Sequence, residues 1–416
     1  MRAAARVLAL PVALAAFAFA TLGTVARPAT AAGGDIGYRD QSYVPLGGSP
    51  TGSKPESKLW FNNGWWASMF SPAAGDHHIY KLDRASRAWA DTGVAIDPRN
   101  STRADALWDA GSQKLYVASH VYTTSGKATT SGSSGRLYRY SYDAAGDRYS
   151  LDPGFPVTVN SAKTETLVID KDSTGTLWAT WTQGSRVYVN HTLGGGDAAW
   201  GRPYIVPGSG TTLTSDDISS VIHFGGNKIG VMWSNQVDHH FYFSVHDDGS
   251  DDSASSWSTS VVPAGASSDD HINLKTDSAG RVYAAVKTSE TSKSRPLVLL
   301  LVRAAGGPWS SATFGTVSDS HTRPIVLLDE QHGLIDMFAT CPQPPKTSGQ
   351  AGGDICEKTT SMSSPSFSPG IGTPLIREAG SPKMNDATST KQNVDSATGI
   401  VVMANNASTD TYWHMQ

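Results

Sequence analysis

Apolar and polar positions alternate along most of this chain in short runs, and the runs come in seven sets. Each set has an apolar, strand-like run, a turn containing glycine, a second apolar run, and usually a third and a fourth. The turn glycines are Gly64, Gly111, Gly175, Gly226, Gly280, Gly333 and Gly399. In four sets an aspartate precedes the glycine and β-formers follow it, as in Asp170…Gly175…Leu177-Trp178 and Asp277…Gly280…Val282-Tyr283. An aromatic opens the fourth run in six sets: Trp89, Tyr149, Trp200, Trp257, Trp309 and Phe367. A period of about fifty residues with about four short strands per unit is the pattern of a propeller blade. The expected fold is all-β: a seven-bladed β-propeller of four-stranded antiparallel blades.

The seventh set is short of one strand. It has runs at 389–394, 399–404 and 411–415, and no fourth. An open ring would leave unprotected sheet edges. The strand-like piece at 38–44 is therefore predicted to complete blade seven as its outer strand. Two long insertions, 123–135 and 341–356, each follow a second strand and are predicted to be loops between strands two and three.

Composition narrows the setting. The chain has 416 residues, 39% hydrophobic and 17% charged, enough apolar material for one large β domain. Arg2 and Arg6 precede an apolar stretch over 7–25, and Ala29-Thr30-Ala31 fits a small-residue cleavage site. This pattern predicts a signal peptide over 1–31 and one domain over 32–416. Losing three arginines with that peptide moves the formal charge from −4 to −7. A mildly acidic secreted monomer, free of the membrane after cleavage, does not have the basic footprint of a nucleic-acid binder. Its two cysteines, Cys341 and Cys356, are expected to pair after export and to contribute about 3 kcal/mol.

In a propeller the first strand of each blade runs along the axis, so the seven strand starts meet at one mouth. Those starts read Ser57-Lys58, Thr102-Arg103, Thr164-Glu165, Asp216-Asp217, Asp269-Asp270, Thr322-Arg323 and Thr390-Lys391. Blades three to five supply an acidic arc, and blades six, seven, one and two a basic one. Arg103, Arg323, Lys58 and Lys391 with Lys287 suit an anionic sugar, because arginine holds a carboxylate in a forked geometry. Asp217 and Asp270 can serve as a glycosidase pair, since neighbouring like charges raise a carboxyl pKa. His120, His271 and Tyr122 supply proton-transfer groups. Trp181, Trp233, Asn235 and Asn273 supply ring faces and amides for reading a sugar. The pairs Asp216-Asp217 and Asp269-Asp270 can hold calcium, but no spacing demands a cofactor.

The repeat style resembles the secreted sialidase-like propellers with BNR-type repeats. The segment Asp172-Ser173-Thr174-Gly175-Thr176-Leu177-Trp178 is similar to their Asp-box, yet its Asp–Gly spacing and its place between strands one and two differ. Arg323-Pro324-Ile325 reverses their Arg-Ile-Pro motif. The sialidase catalytic set is therefore not carried over. The wider group includes propeller polysaccharide lyases, which neutralise a uronate carboxylate with basic residues and move protons with His or Tyr. That resemblance implies a secreted enzyme cleaving an acidic extracellular polysaccharide by β-elimination. In that reading Arg103, Arg323 and Lys287 bind the carboxylate, His120 or His271 is the base, and Tyr122 or the other histidine is the acid. The alternatives are a glycoside hydrolase using Asp217 and Asp270, or a non-catalytic glycan-binding propeller.

Overall fold

The computed structural model describes residues 34–44, 46, 48–52, 54–99, 101–123, 134–344 and 352–416. The predicted signal peptide lies outside the described residues, as do 124–133 and 345–351 within the two insertions. The described chain forms seven antiparallel sheets, each built from strands consecutive in sequence except at the ring closure. The inner strands are Leu59–Phe61, Thr102–Asp109, Val168–Lys171, Ser219–Phe224, Ser268–Thr276, Thr322–Asp329 and Met384–Thr388. Each packs beside the next around the axis, and a bridge from Leu59 to Thr390 links blade one to blade seven. Blade two carries one extra short strand, Arg148–Leu151.

The closure occurs as the pattern predicts. Tyr38–Ser42 pairs with Thr411–Met415, aligning Tyr38 with His414 and Arg39 with Trp413. Tyr43 follows it and is fully buried, its hydroxyl donating to Asn406 O at 3.0 Å. Its ring meets Tyr412 edge-on at 5.4 Å. Burying an aromatic with its hydroxyl satisfied fixes the clasp in place.

Elsewhere the core lies between neighbouring blades, where alternating apolar residues of facing sheets interdigitate. Val168, Trp178, Val187, Val231, Trp233 and Tyr242 fill the gap between blades three and four. The recurring Asp–Gly turn has a structural cause, although in blade three the bracing aspartate is Asp172 and not the expected Asp170, which accepts from His223 N in blade four. Asp172 accepts from the backbone N–H groups of Thr174 and Thr176 and from Trp178 Nε1, each at 2.9 Å. Asp277 does the same for Arg281 N and the Tyr283 hydroxyl, also at 2.9 Å. The motif braces a hairpin and fastens its aromatic, with Gly175 and Gly280 at φ of 89° and 79° supplying the left-handed turn.

Cys341 and Cys356 form the expected disulfide across strands two and three of blade six, with Cα atoms 5.8 Å apart. Blade seven departs from expectation. Its inner strand is Met384–Thr388, so the predicted run at 389–394 lies past that strand's end. The mouth position that was expected at Thr390-Lys391 belongs to Asn385-Asp386.

Candidate functional site

Three neighbouring inner strands lose regular pairing near their starts. The register shifts between Ser268 and Ile272, between Thr322 and Ile325, and between Asn385 and Thr388. Arg323 and Asp386 sit in the left-handed region, at φ of 52° and 54°. Side chains with a Cβ adopt such a backbone at a cost of roughly 1–3 kcal/mol, and bulges re-aim side chains beside functional sites. These bulges set Asp269, Asp270, His271, Arg323 and Asp386 at one end of the axis.

The polar lead ahead of blade one reaches across this end. Thr51 Oγ1 donates to Asn405 Oδ1 at 2.6 Å in blade seven. Lys54 Nζ lies 3.0 Å from Glu165 Oε1 in blade three and contacts Asp270 Oδ2 in blade five. Carboxylate oxygens of Glu165, Asp216 and Asp270 all lie within 4.8 Å of one another. An acidic cluster therefore forms at this end, with Asp216 in place of the expected Asp217, and an internal ammonium sits in it.

His271 joins the acidic arc to the basic one. Its Nδ1 is 3.0 Å from Asp269 Oδ1 and 2.7 Å from Asp270 Oδ1, and its Nε2 is 3.4 Å from Thr322 Oγ1, the neighbour of Arg323. Burial, and then the Lys54 ammonium, push the His271 imidazole down to about 3 despite Asp269, so it stays neutral. Burial alone would raise Asp269, but the His271 hydrogen bond and the Lys287 ammonium outweigh it and hold the carboxyl down at about 2. Lys287 pairs directly with Asp269.

On the basic side, Arg323 Nε stands 2.8 Å from Asp386 Oδ1, close enough to pair charges but not aligned as a hydrogen bond. The Arg323 side chain keeps 31% of its surface exposed. Across the mouth, the Arg103 guanidinium lies over the Tyr122 ring at 3.5 Å, a cation–π contact. Burial first, with the Glu165 and Asp386 charges adding, raises the Tyr122 phenol although Arg103 opposes it, so it remains a proton donor.

Several residues expected at the mouth are elsewhere. His120 is fully buried, with Nε2 2.6 Å from Glu56 Oε1 and Nδ1 3.1 Å from Thr164 O. Lys58 is buried beside it, bonded to Glu56 at 2.7 Å and Ala104 O at 2.5 Å. Asp217 is fully buried and accepts from Thr214 N, Ser234 Oγ and Gln236 N, which makes it a loop clamp. Its neighbour Asp216 takes the mouth position instead. Trp181 and Trp233 are core residues, stacked on Tyr188 and Tyr242 at 6.0 and 5.4 Å. Asn235 closes a turn through Gly210 O at 2.9 Å. Lys391 and Asn273 lie deeper, lining an axial cavity of about 210 Å³, where Lys391 Nζ meets Asp105 Oδ2 at 3.0 Å. Sequence reasoning missed Lys54, Glu56, Asp269 as a charge partner, and Asp386. The signal available was the run Lys54-Pro55-Glu56-Ser57-Lys58, three charges placed at alternate positions ahead of a strand.

No protein-family model and no curated protein matches the chain. Among solved structures it is similar to the PL25 ulvan lyase bound to a GlcA(1-4)Rha3S unit. The TM-score is 0.54 and the identity 12%, covering 91% of this chain and 94% of that one. The same lyase in a second structure gives a TM-score of 0.53 at 11% identity, covering 90% and 94% of the two chains. The periplasmic gluconolactonase PpgL of Pseudomonas aeruginosa gives 0.51 at 12% identity, covering 91% and 90%. At such identities the likeness shows a shared seven-bladed architecture and nothing finer.

Proposed function

We propose that the protein is a secreted enzyme that cleaves an acidic, uronate-containing polysaccharide by β-elimination at the mouth of the propeller. The observation that carries this reading is the neutral His271 imidazole one residue's reach from the Arg323 strand start, both on bulged strands. Arg323, with Arg103 and Lys287, binds the uronate carboxylate and makes the adjacent C–H proton acidic. His271 takes that proton. The electron pair forms the ring double bond as the glycosidic C–O bond breaks, and Tyr122 gives its proton to the departing oxygen. The imidazolium so formed lies between Asp269 and Asp270, whose charges stabilise it. The ulvan lyase likeness, to a protein holding a glucuronate-containing glycan, agrees with this substrate class. The disulfide agrees with an oxidising, extracellular setting.

The hydrolase alternative loses one of its pair, because Asp217 is spent on the loop clamp. A lectin would repeat one motif around the ring, whereas here the mouth carries arginine in two blades, Arg103 and Arg323, and carboxylates in four, Glu165, Asp216, Asp270 and Asp386.

The test is the purified protein on glucuronate-rich and neutral polysaccharides, following ultraviolet absorbance of unsaturated uronate together with reducing ends. Both should rise on the acidic substrate, and His271→Gln should lower the rate by about 100-fold or more. Reducing ends without absorbance would replace elimination with hydrolysis.

A further inference from the structure

We propose that Glu165, Asp216 and Asp270 form a calcium site at the propeller mouth, with Lys54 as its competing internal cation. Three carboxylates from three different blades converge there, and their nearest oxygens all lie within 4.8 Å of one another. Carboxylates brought so close repel unless a proton or a cation lies between them. Lys54 supplies one positive charge against three negative ones.

A second observation points to a ligand. Glu165 is 5% exposed, and its Oε2 is buried with no hydrogen-bond partner among the described residues. A buried carboxylate oxygen is costly to leave unsatisfied. Oε1 of the same group already faces Lys54, so the orphaned oxygen borders the same cluster.

The donor set selects the ion. It offers carboxylate oxygens only, which suit a hard cation rather than zinc. Calcium takes oxygens at about 2.3–2.6 Å, so ligands on opposite sides of it are separated by roughly 4.6–5.2 Å; magnesium draws them to about 4.2 Å or less. Oxygens within 4.8 Å of one another can reach one such ion, and three carboxylates suit calcium, because magnesium keeps several of its waters and is usually held by one or two carboxylates. Asp216 is exposed and leaves a route from solvent, while His271 Nδ1, 2.7 Å from Asp270 Oδ1, orients that carboxylate from outside the donor set. Calcium entry requires the Lys54 ammonium to withdraw from Glu165 and Asp270.

The site does not depend on the lyase reading, because its test reads ion binding alone. Calcium chloride titrated into metal-free full-length protein, followed by calorimetry, should show one ion bound with a dissociation constant of about 1 mM or tighter. Lys54→Met should tighten binding by about tenfold or more, since the competing charge is gone. Asp216→Asn and Glu165→Gln should each weaken it by about tenfold or more. Circular dichroism confirms that each variant is folded, and Asp216, being exposed, keeps the test available if Glu165→Gln is not. Absence of calcium binding in both the wild type and Lys54→Met overturns the proposal. So does undiminished affinity in a folded Asp216→Asn or Glu165→Gln.

Discussion

One residue position separates a clamp from a mouth group in blade four. Asp217 receives three kinds of donor and no solvent, while Asp216 is exposed beside Glu165 and Asp270. Asp217→Ala leaves Thr214, Ser234 and Gln236 without their acceptor, and should cost about 3 kcal/mol in urea denaturation. Activity per folded molecule should change little; a variant with normal stability and no activity would contradict the clamp. The sequence shows an Asp-Asp pair but not its register, because a one-residue shift exchanges the two faces of a strand. The same uncertainty placed Lys58 and His120 at the mouth, whereas each is buried on Glu56. For Lys54 only the alternating charges at 54, 56 and 58 were legible; its partners are 111 and 216 residues away, and no local feature points to them.

At the scale of strands, what was legible is what repeats. Glycine turns and apolar runs recur in each blade, and the aspartate before the glycine in four, so blade number and ring closure could be read from periodicity. Bulges do not repeat, and they interrupt the alternation that a reader relies on; hence the five-residue misplacement of the first strand of blade seven, from 389 to Met384. The closing strand can be tested directly. A chain starting at residue 46 would leave the Thr411–Met415 edge unpaired and uncover Tyr412, which Tyr43 now covers. Such a chain should unfold at a lower guanidinium midpoint and associate in size-exclusion chromatography, as unpaired edges do. An unchanged midpoint and a monomeric profile would mean that blade seven is complete with three strands.

For the molecule as a whole, buried histidines couple folding to pH. His77 and His321 are pushed down by burial to about 4, and His271 to about 3, from an ordinary value of 6.5. His77 also feels the Lys58 ammonium, and His321 is fully buried, bonding Ile371 O at 2.9 Å through Nε2. Below 6.5 the unfolded chain binds protons that the folded chain refuses. Unfolding therefore becomes easier as pH falls, by roughly 1.4 kcal/mol per pH unit for each such histidine. The stability they allow is present in full above about 6.5 and is lost as pH falls through 4. Two carboxyls act in the opposite sense: burial raises Asp40 and Asp105, which favours the folded chain at low pH and offsets part of the slope. The histidines outnumber them in the window between 4 and 6.5, so urea midpoints measured across that window should fall steadily with acid. His77→Gln should flatten the slope by about one proton's worth. A midpoint that stays level from pH 7 to 4.5 would show that these imidazoles reach solvent in the folded protein, and with that the neutral state assigned to His271 would lose its support.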